Sequence, residues 1–201
     1  MSKLLLASSN QGKLQELQSL LVDLNVTLLT PEQINISIEV DEKGETYAEN
    51  AAYKALAFAH ESGLLTLADD SGLEVDILDG LPGIRSARFL SKPNATDADR
   101  RKYLLDRLRG YPRPWLAHFH CTVALATPND ELFFADGDCP GEIITEERGL
   151  GGFGYDPIFL LSTVGRTMAE LTMEEKNKIS HRARAVRACR PLLTKLIRGY
   201  G

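Results

Sequence analysis

Hydrophobic and polar positions follow two periods along the chain, one typical of strands and one of helices. Lys3 to Ala7 is a short apolar run that predicts a buried strand, and leucines at positions 14, 17, 21 and 24 then recur at helical spacing. Val26 to Leu29 predicts a second strand, whereas proline and asparagine interrupt Pro31 to Ile38, which is expected to be irregular. The chain therefore begins with a strand, a polar turn, a helix and a strand.

Two further helices carry recognisable start signals. In both, a threonine precedes an acidic residue by three positions, the spacing of a capping box: Thr46 with Glu49, and Thr96 with Asp99. The first of these helices should stop at Gly63 and the second at Gly110. A helical pattern dominates from Arg166 onward, and Pro191 is expected to kink or split the last helix.

The remaining strand signals predict a mixed sheet. Leu65 to Ala68 is strand-like and is expected to end abruptly at the segment Asp69 to Gly72, after which alternation resumes from Leu73. Trp115 to Ala126 and Glu131 to Ala135 flank a turn-forming segment and predict a hairpin. Because a hairpin is antiparallel, the sheet cannot be wholly parallel.

Length and composition bound the class of protein. The chain has 201 residues, of which 43% are hydrophobic and 25% charged, which is typical of a folded chain with one large domain or two small lobes. Its apolar runs are far shorter than the roughly 20 residues of a membrane helix, and no secretory signal is visible, so no membrane partner and a cytoplasmic location are expected. The three cysteines form no metal or disulfide spacing and predict packing residues.

Charge is distributed unevenly. The net charge of −5 argues against binding to a nucleic-acid polymer. Eleven acidic side chains and two lysines lie between positions 39 and 80, whereas nine basic and three acidic side chains lie between positions 166 and 201. The acidic segment could hold a hard cation, and the basic segment could hold an anionic phosphate. Two oppositely charged solvated surfaces remain the simpler alternative.

The first candidate site is the polar turn between the first strand and the first helix. Free backbone N–H groups and the helix dipole attract phosphate there, and a lysine adds charge. The segment lacks the spacing of a Walker loop, and an ordinary helix N-cap made by serine or asparagine is an equally open interpretation. Its residues are Ser8, Ser9, Asn10, Gln11, Gly12 and Lys13.

Adjacent carboxylates form the second candidate site. Asp69 and Asp70 follow an apolar strand, and two neighbouring carboxylates repel each other unless they share a cation or one is protonated. They are therefore candidate ligands for Mg²⁺, which takes one or two carboxylates together with phosphate oxygens. Asp41 and Glu42 belong to a second acidic segment. A turn with purely local hydrogen bonds is the alternative.

Two later segments complete the candidates. Gly149 to Gly154 matches G-x-G-x-x-G, but its late position and the strand-like run after it argue against a dinucleotide fold and favour a loop that presents Phe153 to a base. The alternative places Phe153 in the core. Near the C-terminus, Ser180 could cap a helix with His181 and Arg182 in its first turn, where cations are unfavourable without a compensating anion. A solvated basic helix is the alternative.

Taken together, these segments resemble the inosine triphosphate pyrophosphatase family, whose members act on deaminated purine nucleoside triphosphates. The resemblance covers nearly the whole chain and rests on SSNQGK, GETYAENA with Lys54, ADDSGLEVDILDGLPGIRSARF, GGFGYDPIF and ELTMEEKNKISHRARA. The family's first motif usually reads T-G-N-x-x-K. Ser8 and Ser9 depart from it, whereas Asn10 and Lys13 are retained.

The resemblance implies roles for individual residues. The segment Ser8 to Lys13 would bind the triphosphate, and Ser71 would touch substrate. Asp70 would be the catalytic carboxylate and a Mg²⁺ ligand, with Asp69, Asp41 and Glu42 as the other candidate ligands. Phe153 would stack on the base. The other substrate-binding residues implied are Gly154, Tyr155 and Asp156 around the base, and Lys176, His181 and Arg182 at phosphate, base or sugar.

The resemblance also implies a fold and a reaction. The fold would be α/β (mixed α+β), with an elongated mixed sheet flanked by helices and two lobes around a central cleft in a single domain over residues 1–201, usually as a homodimer. The reaction would be Mg²⁺-dependent hydrolysis of ITP, dITP or XTP to the nucleoside monophosphate and pyrophosphate. Alternatives are a pyrophosphatase for other modified nucleotides and a nucleotide-binding regulator without activity; the Asp69 and Asp70 pair favours an enzyme.

Overall fold

A mixed β-sheet flanked by α-helices forms the framework, as expected from the sequence. The computed structural model describes residues 2–199, in which seven strands follow the order β2-β1-β3-β4-β5-β6-β7. The strands are β1 (Lys3–Leu6), β2 (Thr27–Leu29), β3 (Thr66–Val75), β4 (Trp115–Ala126), β5 (Leu132–Ile143), β6 (Phe159–Leu161) and β7 (Arg166–Thr167). β1 runs parallel to β2 and β3, and β6 runs antiparallel to β5 and β7. The mixed α/β class is confirmed.

Helix boundaries follow the capping signals of the sequence. The helices are α1 (Gln11–Leu21), α2 (Tyr47–Ser62), α3 (Asp97–Leu108), α4 (Met173–Ile179) and α5 (His181–Gly199). Both predicted capping boxes are present, at the starts of α2 and α3, and Gly63 ends α2 in the left-handed conformation with φ 65°. Thr172 and Glu175 form a further capping box that begins α4.

Two expectations about the strands are wrong, and the last helix is not split. β3 does not end at Asp69 but continues to Val75, because both aspartates are buried and have hydrogen-bonding or cationic partners, so no turn is needed to solvate them. Arg166 and Thr167 belong to a short strand rather than to helix. Helix α5 is not split at Pro191 but continues through it to Gly199, and Pro191 lies on an exposed face of the helix.

One compact unit of the chain comprises residues 2–70, 121–137 and 181–199. Successive side chains of β1 point to opposite faces: Leu4 and Leu6 pack in a cluster with α1 and α5, and Leu5 packs with the alanines of α2. Gly137 on β5 lets α5 approach closely, since a Cβ there would lie 2.4 Å from the Ala185 nitrogen and from the His181 oxygen. This contact sets the position of the first turn of α5.

The second compact unit comprises residues 71–120 and 138–180. Its core combines side chains from β3, α3, β4, β6 and short helical turns, among them Leu73, Leu104, Trp115, Ile158 and Phe159. The rings of Phe119 and Phe159 lie 4.4 Å apart between centroids. Within residues 2–199, none of the helices combines the length and the apolar character that crossing a bilayer requires.

Candidate active site

The two adjacent aspartates of β3 have different partners. The Asp69 side chain is fully buried, and its Oδ2 accepts hydrogen bonds from Nε and Nη2 of Arg182 at 3.2 and 3.0 Å. The Lys13 ammonium lies 3.2 Å from the same oxygen. Asp70 Oδ2 instead accepts from Nδ2 of Asn50 at 3.2 Å. Because consecutive strand residues point to opposite faces, the two carboxylates are served by different elements.

Asp69 is held in its ionised form. Burial acts to raise the pKa of Asp69, but the positive charges of Lys13, Arg182 and Lys54 outweigh burial and hold that pKa far below its ordinary value. The Cys121 thiol lies 3.9 Å from Asp69 Oδ2, and burial raises the pKa of Cys121, so this sulfur is a neutral neighbour. The ionised Asp69 therefore pairs with the surrounding cations.

Arg182 lies in the first turn of α5, as the sequence predicted, and its side chain is 1% exposed. Its Nη1 donates to Oε2 of Glu16 on α1 in a short contact. The anions that compensate the cation at this helix start are thus two carboxylates of the chain itself, Glu16 and Asp69. The substrate contact expected for Arg182 stays a prediction; in this structure its guanidinium supports Asp69.

Lys54 connects the acidic segment before α2 to the two aspartates. Its ammonium donates to Glu42 Oε1 at 2.8 Å and to the backbone oxygen of Asp69 at 2.7 Å, and it lies 3.8 Å from Asp70 Oδ1. Burial opposes its charge, yet Asp69, Asp70 and Glu42 raise the pKa of Lys54. Burial raises the pKa of Asp70. The positive charges of Lys54 and Lys13 act to lower this pKa, and the negative charges of Glu42 and Asp69 act to raise it further.

Asn50 links the catalytic candidate Asp70 to the acidic segment. Its side chain is fully buried on α2, and its Oδ1 accepts from the backbone N–H of Gly44 at 2.9 Å while its Nδ2 donates to Asp70. A Cβ on Gly44 would lie 2.8 Å from that Oδ1, so the backbone must come close at this point. One amide therefore places both the loop that carries Glu42 and the carboxylate of Asp70.

The candidate metal ligands are only partly brought together. Glu42 and Asp70 converge on the Lys54 ammonium, whereas the Asp41 side chain is 72% exposed and pairs with Lys43. Among residues 2–199, no group of three or more histidine, cysteine or acidic side chains is arranged to hold a metal ion. The donor chemistry of Glu42 and Asp70, two carboxylates already sharing one cation, nevertheless fits a hard divalent ion.

The polar turn before α1 has the N-cap geometry that the sequence left open. Asn10 caps α1 by accepting from the Lys13 backbone N–H at 3.0 Å, and its own N–H donates to Ser8 Oγ at 3.2 Å. Ser9, Asn10 and Gln11 are exposed, and Gly12 and Lys13 are half-buried. A cap of this kind leaves the helix start accessible, so it is compatible with anion binding at the same N-terminus.

The second unit holds the other group of candidates. Asp156 and Lys176 form a buried ion pair, with Lys176 Nζ 2.7 Å from Asp156 Oδ2, and the same oxygen accepts from the Phe153 backbone N–H at 3.1 Å. Gly152 lies against this pair, since a Cβ there would be 1.9 Å from Asp156 Oδ2. Tyr155 donates from its hydroxyl to the Ser86 backbone oxygen at 3.0 Å, and burial raises its pKa.

The last two candidates are placed as follows. Ser71 is half-buried on β3, directly after Asp70 in the chain. His181 is buried as the first residue of α5. The structure thus brings Lys13, Asp69, Asp70, Glu42 and Arg182 into one network, and it brings Phe153, Asp156 and Lys176 into another.

Comparison with known proteins decides the family. Residues 4–192 match the Ham1 family. The chain belongs to the Ham1 family. It is 46% identical over 195 residues to a dITP/XTP pyrophosphatase of Desulforamulus reducens, and the match covers 96% of each chain. It is also 46% identical over 187 residues to a dITP/XTP pyrophosphatase of Geobacter sulfurreducens, and that match covers 92% of this chain and 94% of that protein. A HAM1 protein structure from Coxiella burnetii superposes with a TM-score of 0.86 at 41% identity, covering 97% of this chain and 100% of that one. The resemblance drawn from the motifs is confirmed.

Sequence reasoning overlooked two buried polar residues of this Ham1 family chain. Glu16 lies among the leucines of α1 on its buried face, three positions after Lys13, and that spacing was the available signal. Asn50 lies within an alanine-rich helix, where a polar residue on the buried face needs a partner. Neither signal names the partner, because Arg182 and Asp70 are distant in the sequence.

Proposed function

We propose that this chain hydrolyses deaminated purine nucleoside triphosphates, such as ITP, dITP and XTP, to the nucleoside monophosphate and pyrophosphate. The full-length similarity to dITP/XTP pyrophosphatases supports this reaction. The structural observation that carries the proposal is the buried Asp69 and Asp70 pair, held among the ammonium groups of Lys13 and Lys54. Buried carboxylates beside accessible cations suit water activation next to bound phosphate.

Phosphate binding is assigned to the cations and to the helix start. The ammonium groups of Lys13 and Lys54 belong to side chains that are 15% and 13% exposed, so each is partly desolvated yet still accessible. The N-terminus of α1 adds backbone N–H groups and a positive dipole end. A triphosphate carries several negative charges, and these groups would neutralise part of them.

Glu42 and Asp70 would hold a Mg²⁺ ion. When bound, that ion supplies charge neutralisation at the phosphate oxygens. Lys54 keeps these two carboxylates close together by pairing with both. Asp69 and Asp41 remain weaker candidates, because Arg182 and Lys13 engage Asp69 Oδ2 and Asp41 pairs with Lys43 at the surface.

Asp70 is the group that would orient or deprotonate the attacking water. Its raised pKa makes it a stronger proton acceptor than an ordinary aspartate, and its Oδ2 is oriented by Asn50. The water would attack the α-phosphorus in line, and pyrophosphate would leave.

Base recognition is assigned to the segment Phe153 to Asp156, and Lys176 and His181 would reach phosphate, base or sugar. Phe153 would stack on the purine, and donors aimed at the C6 carbonyl would reject adenine, whose amino group would leave them unpaired. We further propose that the protein works in the cytoplasm as a homodimer.

The test is pyrophosphate release from ITP by the wild-type protein and by Asp70→Asn, with circular dichroism to verify the fold. The proposal expects Mg²⁺-dependent release by the wild type and none above background by the variant. Wild-type turnover in Asp70→Asn would contradict the role of Asp70, and ITP binding without release by either protein would favour a regulator.

A further inference from the structure

The backbone of Gly154 is held from both sides by helix α3. Its N–H donates to Oδ2 of Asp97 at 2.7 Å, and its carbonyl oxygen accepts from Nη1 of Arg101 at 2.9 Å. Asp97 and Arg101 are four positions apart, so they lie on the same face of α3. Both polar groups of a single peptide residue are therefore engaged by charged side chains of one helix.

This clamp, Asp97 and Arg101, is itself fixed by further ion pairs. Nε and Nη2 of Arg101 each donate to one carboxylate oxygen of Glu147 at 2.9 Å, which is the planar two-point pairing that orients a guanidinium. Asp97 accepts from Nη2 of Arg100 at 2.5 Å. Although burial opposes its charge, Arg100 and the Gly154 N–H lower the pKa of Asp97. Both clamp residues are thus held in one orientation before any ligand arrives.

Side-chain packing cannot replace these bonds at Gly154. The residue has φ 62°, in the left-handed region, and a Cβ added there would meet no atom within 4 Å. Its neighbours have their own anchors: the Phe153 N–H donates to Asp156, and the Tyr155 hydroxyl donates to Ser86. The clamp supplies the fixing contacts at the one position between these anchors.

We propose that Asp97 and Arg101 are positioning residues for nucleobase recognition, because they hold the Gly154 backbone in the conformation that presents Phe153 to a purine ring. The inference rests on the proposed function for the role of Phe153. A stacking side chain binds well only when its backbone is ordered beforehand, since ordering it on binding weakens affinity. The clamp therefore affects nucleotide affinity rather than the chemical step at Asp70.

Hydrogen exchange of the full-length protein tests the clamp directly. Asp97→Ala removes the acceptor, and Arg101→Met removes the donors while keeping the aliphatic stem. In both variants the amides of residues 152–156 should exchange about tenfold faster or more, as expected when a charge-assisted hydrogen bond is lost. Asp97→Asn keeps an acceptor oxygen and should restore most of the protection.

Two controls isolate the contact with Gly154. Asp106→Ala removes a carboxylate from the same helix that pairs with Arg109 in the solvent, and it should leave exchange in residues 152–156 unchanged. Arg100→Met removes the other partner of Asp97, and it should disturb the segment less than Asp97→Ala does. Equal effects of Arg100→Met and Asp97→Ala would overturn the clamp.

Kinetics and binding then test the functional consequence. Asp97→Ala and Arg101→Met should raise the KM for ITP, and the Kd for ITP measured in EDTA, by about tenfold, while kcat changes less than about twofold. A fall in kcat at unchanged KM, or unaltered exchange and affinity, overturns the inference alone. A wild-type protein that neither binds nor hydrolyses ITP overturns the proposed function and this inference with it.

Discussion

Arg182→Met perturbs the buried ion network formed by Arg182, Asp69 and Glu16. The side chain of Arg182 is 1% exposed and that of Asp69 is fully buried, and methionine keeps much of the stem length while removing the charge. The substitution leaves the ionised Asp69 with Lys13 and Lys54 and removes the guanidinium from Glu16.

The magnitude follows from burial. Removing one partner of a buried ion pair costs about 3–5 kcal/mol, because the remaining charge loses compensation that water cannot supply. For a chain of this size that corresponds to a fall in Tm of roughly 6–20 °C. Asp69→Asn in the Arg182→Met background should recover part of the loss, because the uncompensated charge is then gone.

The stability lost in Arg182→Met should depend on pH in a defined direction. The folded-state pKa of Asp69 is far below its ordinary value, so its contribution to stability is present above about pH 4 and declines as the pH falls toward the folded-state pKa. In Arg182→Met the folded-state pKa of Asp69 moves back up. The stability difference between wild type and variant should therefore be largest at neutral pH and should narrow below about pH 4.

Urea unfolding at a series of pH values, followed by circular dichroism, measures this difference. Arg109→Met is a matched control, since its exposed pair with Asp106 should leave the unfolding curve unchanged. A loss below about 1 kcal/mol at pH 7, or a loss that is independent of pH, would refute the assignment of Arg182 as the structural counter-ion of Asp69.

Three further predictions concern residues around the two candidate groups. In metal-free buffer, Asp70→Asn should be at least as stable as wild type at pH 7, because the raised pKa of Asp70 means that its ionised form costs stability. This advantage of the variant should vanish as the pH falls through the folded-state pKa of Asp70. A variant less stable than wild type at pH 7 would contradict the reasoning. Asn50→Leu should lower the free energy of unfolding in urea by about 1–3 kcal/mol, because the buried Asn50 side chain loses two hydrogen bonds. A change below about 0.5 kcal/mol would argue against this double link. Gly152→Ala should lower Tm more than Gly154→Ala. Both positions have positive φ, but a Cβ at Gly152 would lie 1.9 Å from Asp156 Oδ2, whereas a Cβ at Gly154 would meet no atom within 4 Å. Equal shifts in Tm would refute this clash.

Local signals predicted much of the fold. The capping boxes at Thr46 and Thr96 placed the starts of α2 and α3, because each depends on residues three positions apart. The apolar run at β1 and the leucine spacing of α1 were read correctly for the same reason, since burial on one face leaves a short-range pattern.

Long-range partners were beyond the sequence. The continuation of β3 through Asp69 and Asp70 depends on Arg182 and Lys54, which are remote in the chain, so two adjacent carboxylates looked like the end of a strand. Helix α5 continues through Pro191, which lies on an exposed face of the helix, and a proline in the sequence does not by itself show which face it occupies.

The candidate site, like the fold, was predicted where local signals sufficed and was missed where partners are distant in the chain. Residue types and spacing singled out Lys13, Asp69 and Asp70, which the structure joins in one network. They could not show that Arg182 turns inward to Asp69, or that Asp97 and Arg101 hold Gly154, because these contacts depend on how separate elements pack.

Pyrophosphate release from ITP, XTP, GTP, ATP and dTTP, each with and without Mg²⁺, tests the central claim most directly. The account predicts Mg²⁺-dependent release from ITP and XTP, with much slower release from the three standard nucleotides. Equal rates for all five would contradict the base selectivity, and no release from any of them would contradict the proposed reaction.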